Sequence, residues 1–192
     1  MEKIDIQYDH YKETFKIIRE NEKERNKLFI IVIIHVLVIF LFMVKPNEIY
    51  QTINEFSKNY IQNGLYFGIN AIEIFIWIST LYFSTRYFQI NINIDRKYIY
   101  LHNLEEQLSK SLKLEFNRES KAYEEGYPIL LNIIYWTYRY IFPILYILFL
   151  IIGLILSLKN YTILKVIIGI IVSILLITMN ILYMIQSYKE NK

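Results

Sequence analysis

One carboxylate interrupts an otherwise apolar segment of the chain. In the stretch INAIEIFIWI, Glu73 is the single charged residue between Gly64 and Phe83. An isolated charge at the centre of a bilayer costs at least ~2.5 to 3.5 kcal/mol, so such a carboxylate needs a partner, a proton or water. Glu73 is therefore a candidate for pairing with a base, for relaying protons or for lining a hydrated path.

The polar residues around Glu73 share one helical face. At about 100° per residue, this face carries Tyr66, Asn70, Glu73, Trp77, Thr80 and Ser84. The opposite face carries Gly64, Gly68 and Ala71, a small-residue pattern that permits close helix packing. We expect the polar face to line a water-filled path or proton relay at the centre of an oligomer, or alternatively to fix helix register.

Two other apolar segments hold ionisable residues that bear on these alternatives. His35 lies near the predicted depth of Glu73, and Arg139 lies nearer the inner end of a later segment. In the structural alternative Glu73 is protonated or bonded to His35 or Arg139. We expect Arg139 to extend towards lipid headgroups rather than to pair at the membrane centre.

A second set of residues has the types that bind metals. His10 and Glu13 form one HxxE pair, and His102 and Glu105 form another. Two histidines and two carboxylates on neighbouring helices could ligate a metal ion, but the charge density of both segments favours solvated helix surface. We expect no metal and no cofactor. Because the sequence contains no glycine-rich phosphate loop, GxSxG or HExxH motif, we also do not expect an enzyme.

The elements that position these residues follow from where charge is missing. The chain is 55% hydrophobic and 20% charged, yet residues 28–44, 140–158 and 166–186 contain no charged residue. About 20 apolar residues at 1.5 Å each cross the ~30 Å hydrocarbon layer. The sequence predicts an all-α membrane protein with four transmembrane helices, at 28–44, 64–83, 140–158 and 163–186.

Basic residues predict the orientation of these helices. Residues 1–27 and 84–128 carry seven Lys and Arg each, whereas residues 45–63 carry two. Since basic flanks stay in the cytoplasm, we expect a multi-pass protein of a bacterial inner membrane with both termini cytoplasmic. The predicted regions are a cytoplasmic helix (1–27), a transmembrane hairpin (28–83), a cytoplasmic helical region (84–128), and a second transmembrane hairpin with a short tail (129–192). The net charge of +3 reflects this asymmetry, so we expect no nucleic-acid partner.

Apolar stripes predict that the cytoplasmic segments are helical. The first stripe is Ile4, Tyr8, Tyr11, Phe15 and Ile18, and the second is Ile94, Tyr98, Leu101, Leu104, Leu108 and Leu112. No Pro or Gly interrupts residues 20–44 or 69–100, so both helices should continue from the membrane as an antiparallel helical stalk of coiled-coil type. A short strand in QININI is the alternative. We also expect a short interfacial helix in 45–63, a kink at Pro143 and an aromatic belt in YWTYRY.

The beginning of the chain resembles a known group of proteins. YDHYKETFKIIRENEKERNKLF, a charged helix with an aromatic seam and an ERNK stretch leading into the first apolar segment, is similar to the small bacterial membrane proteins of the SLATT type. That resemblance implies a pore-forming effector of anti-phage defence, coupled to a nucleotide signal or another trigger. It assigns a role to no individual residue.

Our leading hypothesis is an oligomeric pore-forming or membrane-perturbing effector, gated by its cytoplasmic part. The alternatives are a scaffold whose stalk binds a cytosolic protein and an ion- or proton-coupled transporter, which the lack of broken helices and inverted repeats disfavours. The expected partners are the lipid bilayer, further copies of the chain, and a cytosolic protein or nucleotide signal at the stalk.

Overall fold

The protein is described by a computed structural model that covers residues 2–60, 69–113, 129–160 and 163–190. Within these ranges every regular element is helical and there is no strand, which confirms the all-α prediction. The elements are α1 (Glu2–Val44), α2 (Pro46–Tyr60), α3 (Ile69–Leu112), α4 (Ile129–Trp136), a π-helical turn (Thr137–Ile141), α5 (Phe142–Asn160) and α6 (Ile163–Glu190).

Three stretches of helix are long and apolar enough to cross a membrane. They are Ile4–Val44, Ile133–Leu156 and Val166–Ser187, and they contain most of three of the four predicted spans. The predicted span at 64–83 is not among them. Its first residues, 64–68, lie outside the described ranges, and the remainder carries Glu73 and the polar face.

Both long helices are unbroken. α1 runs from Glu2 to Val44 and α3 runs from Ile69 to Leu112, as expected from the lack of Gly and Pro at their charged-to-apolar junctions. The alternative of a strand in QININI is wrong, because its apolar residues Ile90 and Ile94 lie four apart on the buried face of a continuous helix. α2 confirms a short helix after Val44, and Pro46 opens it where a missing backbone N–H is tolerated.

Buried positions recur every three or four residues on the long helices. On α3 they include Glu73, Trp77, Thr80, Ser84, Tyr87, Asn91, Ile94, Leu101, Glu105 and Leu108. On α6 they include Gly169, Ser173, Leu176, Asn180, Tyr183 and Ser187. This is the heptad spacing of helices that pack along one continuous face. We call these faces the α3 seam and the α6 seam.

The helices form two compact units. The first unit consists of Met1–Lys27, Tyr87–Pro143 and Tyr183–Lys192. Its core is a cluster of Tyr11, Ile18, Leu101, Leu104 and Leu108, with Ile4, Phe15 and Tyr98 packed against it.

Side-chain contacts between α1 and α3 in the first unit follow a reversed order. Gln7 Nε2 donates to Gln107 Oε1 at 3.1 Å. Tyr11 OH donates to Glu105 Oε1 at 3.0 Å, and Tyr98 OH donates to Glu22 Oε1 at 3.1 Å. Residue numbers in α3 thus fall as those in α1 rise.

The second unit consists of Leu28–Arg86 and Ile144–Leu182. In it the ring centroids of Phe40 and Phe149 lie 6.4 Å apart, which joins α1 to α5. Thr85 Oγ1 donates to the carbonyl of Leu81 at 2.7 Å and lies 3.5 Å from Met179 Sδ, a contact that joins α3 to α6. The outer surface of this unit is apolar, and its exposed side chains include Ile34, Leu37, Phe75, Ile78, Leu148, Ile152, Ile171 and Ile174.

Candidate functional site

Polar side chains gather inside the second unit. Glu73 is 9% exposed, and Thr80, Ser84, Ser173 and Asn180 are fully buried. They lie in an interior that also contains buried apolar residues such as Val32, Trp77 and Leu150. Inward-facing polar groups are the rule where lipid is the solvent, so these side chains are the first candidates for function.

Several of these groups hold the helices together. Ser84 Oγ and Tyr146 OH share a hydrogen bond of 2.8 Å that links α3 to α5. The Thr80 hydroxyl donates to the carbonyl of Ile76 at 2.7 Å, within its own helix. The polar face predicted for this segment is therefore turned towards the other helices of the same chain.

Within the second unit, two buried oxygens on the α6 seam have no hydrogen-bond partner among the described residues. They are Ser173 Oγ and Asn180 Oδ1, although the Asn180 amide nitrogen donates to the carbonyl of Leu176 at 2.7 Å. A buried acceptor without a partner costs about 1–3 kcal/mol. The two residues lie seven apart, so both oxygens are carried on one face of the helix.

Open space adjoins the same seam. Gly169 is buried, yet among the described residues no heavy atom outside its own helix backbone lies within 4 Å of the position that a Cβ would occupy. Gly153 on α5 provides the contrast, because the equivalent position there is 2.7 Å from Cε of Met43. Gly153 is a site of close helix packing, whereas Gly169 borders unfilled volume.

His35 does not pair with Glu73, and that prediction is wrong. With its proton on Nδ1, His35 donates to the carbonyl of Ile31 at 2.8 Å, and its ring lies 5.1 Å from that of Phe83. At 1.5 Å per residue, Glu73 lies about 15 Å along α3 from Phe83. The difference in depth separates the two groups.

Arg139 belongs to the first unit and is buried there at 5% exposed. Its guanidinium donates to the hydroxyl of Tyr135 and to the backbone carbonyl of Ser187, and Nη2 lies 3.7 Å from Asp95 Oδ2. The expectation that this side chain reaches out to lipid headgroups is wrong, because α3 and α6 supply its partners inside the protein.

A local change of helix type surrounds Arg139. The N–H of Phe142 donates to the carbonyl of Thr137, which is five residues earlier, so Thr137–Ile141 forms a π-helical turn. The carbonyl of Tyr138, released from its usual partner, accepts the hydroxyl of Tyr87 at 3.4 Å. Burial raises the pKa of Tyr87, which keeps the hydroxyl a donor. The turn ends two residues before Pro143, where we expect a kink.

The two HxxE pairs do not come together as a metal centre. Among the described residues, no group of three or more His, Asp or Glu side chains could hold a metal ion. His10 and Glu13 are exposed and His102 is half-buried. Glu105 is 1% exposed and accepts the Tyr11 hydroxyl, so the expectation of solvated surface is wrong for this residue.

The remaining candidates have simple outcomes. Tyr66, Gly64 and Gly68 lie outside the described residues, and Asn70 lies in α3 with a side chain that the structure does not describe. Trp77 is buried at 6% and Ala71 is exposed. Asp95 and Ser187, which contact Arg139, are not among the sequence candidates; the seven-residue spacing of Ser173, Asn180 and Ser187 is a signal that could have identified Ser187.

In the part of the chain that the structure describes, every regular element is helical and three helices are long and apolar enough to cross a bilayer. Together with the exposed apolar and buried polar side chains, this is the organisation of a helical membrane protein. No protein-family model, curated protein or solved structure matches the sequence.

Proposed function

We propose that the protein is an oligomeric, membrane-perturbing effector of bacterial defence that crosses the inner membrane four times and is closed in the state described here. The observation that carries the proposal is the polar seam of α3, from Glu73 to Ser84, which is buried against the chain's own helices. A protein that opens a membrane on demand needs polar groups at that depth, and it needs to hide them until they are used.

The surface of α3 supports a fourth span. In its first part the outward side chains Phe75, Ile78 and Tyr82 are 70%, 55% and 60% exposed, and all three suit contact with lipid. The polar side chains Glu73, Thr80 and Ser84 lie on the buried side, where their cost in lipid is reduced. A mean hydropathy taken over all sides of the helix does not show this separation of apolar and polar faces.

An even number of spans also agrees with the charge pattern. Four spans leave both termini and the 84–128 region on one side, and these segments carry the larger number of basic residues. The reversed contacts of α1 and α3 support an antiparallel stalk on that side.

The hydrogen bonds of the second unit support a closed state. The pairs Ser84–Tyr146 and Thr85–Met179 attach α3 to α5 and to α6. Exposure of the α3 seam to an aqueous lumen therefore requires both contacts to separate. α1 and α3 are each one unbroken helix that contributes residues to both units.

Electrical recording from the purified protein in planar bilayers tests the proposal. We expect stepwise conductance from an oligomer, reduced at least tenfold by Glu73→Ala and unchanged by Phe75→Leu, a matched substitution on the outward face. Absence of conductance in every oligomeric state, together with unaltered toxicity of Glu73→Ala in cells, would remove the proposal in favour of a scaffold.

A crosslink tests whether opening requires α3 to leave α6. The chain contains no cysteine, so Thr85→Cys and Met179→Cys can be joined by a reducible bismaleimide without side reactions. We expect the bridge to abolish conductance and reduction to restore it. Each single-cysteine variant treated with the same reagent serves as the control, and conductance through the bridged protein would contradict opening at this contact.

A further inference from the structure

The α6 seam of the second unit combines two features that call for an occupant. Ser173 Oγ and Asn180 Oδ1 are buried without a hydrogen-bond partner among the described residues, and Gly169 borders open space. These three residues lie within eleven positions on one helical face, which spans about 16 Å. Apolar cavities stay dry, but a cavity lined by polar atoms that lack partners binds water.

Other helices of the second unit carry further polar groups. Met179, next to Asn180, contacts Thr85, which follows Ser84 in the chain. Ser84 shares one hydrogen bond with Tyr146, in which either hydroxyl can donate. The Thr80 hydroxyl donates a hydrogen bond to the backbone carbonyl of Ile76, so its oxygen still has lone pairs that can accept a hydrogen bond. Donors and acceptors that suit water are therefore present on three helices of this unit.

The arrangement suits a file of water better than a metal cage. Hard cations gather six or more oxygens around a single point. Here Ser173 and Asn180 are separated by about 10.5 Å along the helix, and the polar side chains of the α3 seam are likewise spread along its length. Glu73 is the carboxylate of this interior.

We propose that the interior of the second unit holds a file of water molecules along the α6 seam and that, once α3 separates from α6, this file carries protons to and from Glu73. A hydronium ion gives one proton to a Glu73 carboxylate oxygen and becomes water. The neutral acid then returns the proton to the next water molecule, and only O–H bonds form and break. This inference rests on the proposed membrane-opening function and assigns the proton as the species conducted within one protomer.

Hydration of the seam is tested first, because it does not depend on conduction. In the full chain in phosphatidylethanolamine and phosphatidylglycerol vesicles, Ser173→Cys is exposed to Ag⁺, and remaining thiols are then labelled with a maleimide in SDS. Ag⁺ traps the thiolate, which forms where water is present. We expect reaction at least tenfold faster than for Ile174→Cys, the neighbouring residue on the 56% exposed apolar surface.

Gly169 provides a plug for the same measurement. Gly169→Leu should slow the reaction of Ser173→Cys at least tenfold, whereas Gly169→Ala, for which there is space, should slow it less than threefold. Equal rates at positions 173 and 174 would mean a dry interior and would overturn the inference whatever the protein conducts.

Proton and dye fluxes from the same vesicles separate this inference from the proposed function. We expect proton entry, followed with a pH-sensitive dye under a potassium diffusion potential, to fall at least tenfold in Glu73→Gln and in Gly169→Leu, without release of calcein. Proton fluxes that neither substitution changes would overturn the proton file but not the proposed membrane-opening function. Vesicles tight to protons, ions and calcein alike would overturn the proposed function together with the inference.

Discussion

At the scale of single residues, the first unit contains a carboxylate inside an apolar core. Glu105 is 1% exposed and lies in the same helix as the core residues Leu101, Leu104 and Leu108. The Tyr11 hydroxyl donates to it from α1. A buried carboxylate that loses a hydrogen-bond donor is left partly unsatisfied, so removing this hydroxyl should lower the stability of the fold.

Tyr11→Phe should therefore lower the free energy of unfolding by about 1–3 kcal/mol. The measurement is urea unfolding of the purified protein in mild detergent. Tyr8→Phe is the control, since Tyr8 is 44% exposed on the same helix and should have almost no effect. Combining Tyr11→Phe with Glu105→Gln should recover part of the loss, and equal losses in both Tyr→Phe variants would contradict the assignment.

Arg139 offers a second test at this scale. Its side chain is 6% exposed and that of Asp95 is 25% exposed, with 3.7 Å between Nη2 and Oδ2. Removing one partner of a buried ion pair leaves an uncompensated charge, so Arg139→Leu should destabilise by about 2–4 kcal/mol. In the Asp95→Leu background the same change should cost less than half as much. Additive effects, measured by the same unfolding assay, would rule out the coupling.

The sequence predicts these two sites to different degrees. The face that carries Glu73, Trp77 and Thr80 can be predicted from the sequence because a regular helix repeats every 3.6 residues. All three residues are buried. The partners of Arg139 cannot be predicted in this way. The π-helical turn at Thr137–Ile141 inserts one residue into the repeat, so the direction of Arg139 does not follow from the regular helical period.

At the scale of helices, one heptad face organises each long element. On α3 the same spacing joins the polar residues of the second unit and the apolar residues of the first. The absence of Gly and Pro predicts the continuity of α1 and α3. The exact face of α1 is harder to predict, because Tyr8 is 44% exposed while Thr14 is buried at 9%. The sequence pattern predicts that an aromatic residue at the edge of an apolar stripe is buried, but its burial depends on neighbouring helices that the pattern does not specify.

Leu101 and Ile99 test this face within two residues of one helix. Leu101 is fully buried in the core cluster and Ile99 is 43% exposed. Leu101→Ala should destabilise the protein by about 2–5 kcal/mol, because it removes buried methyl groups and leaves a cavity. Ile99→Ala should cost under about 1 kcal/mol. Thermal unfolding followed by circular dichroism measures both, and similar losses would contradict the seam.

Burial of core residues in the first unit bears on the scaffold alternative. Tyr11 and Leu101 of the apolar stripes are 2% and 0% exposed, so neither can contact a partner directly. Loss of partner binding in their variants would reflect an unfolded first unit. A docking surface on this unit has to use outward residues such as Tyr8 or Tyr100, which are 44% and 47% exposed.

At the scale of the whole molecule, the number of spans decides the topology. Three helices meet the length and hydropathy of a membrane span, and an odd number would place the two termini on opposite sides. The first part of α3 is decisive, because it joins α2 to the later part of α3. If it crosses the membrane, Glu55 in α2 and Glu106 near the end of α3 lie on opposite sides; if it does not, they share a side.

Single cysteines in this cysteine-free chain distinguish the two topologies. Glu55→Cys, Glu106→Cys and Asp9→Cys all replace exposed residues in described helices. We expect a membrane-impermeant maleimide to label Glu55→Cys in intact spheroplasts, and to label the other two only after permeabilisation. The reason is the distribution of side chains on α3. Phe75, Ile78 and Tyr82 face outward, where they suit contact with lipid, and Glu73 faces inward, away from it. Labelling of both Glu55→Cys and Glu106→Cys before permeabilisation would instead put α3 outside the bilayer, and with it the polar seam on which opening and proton transfer depend.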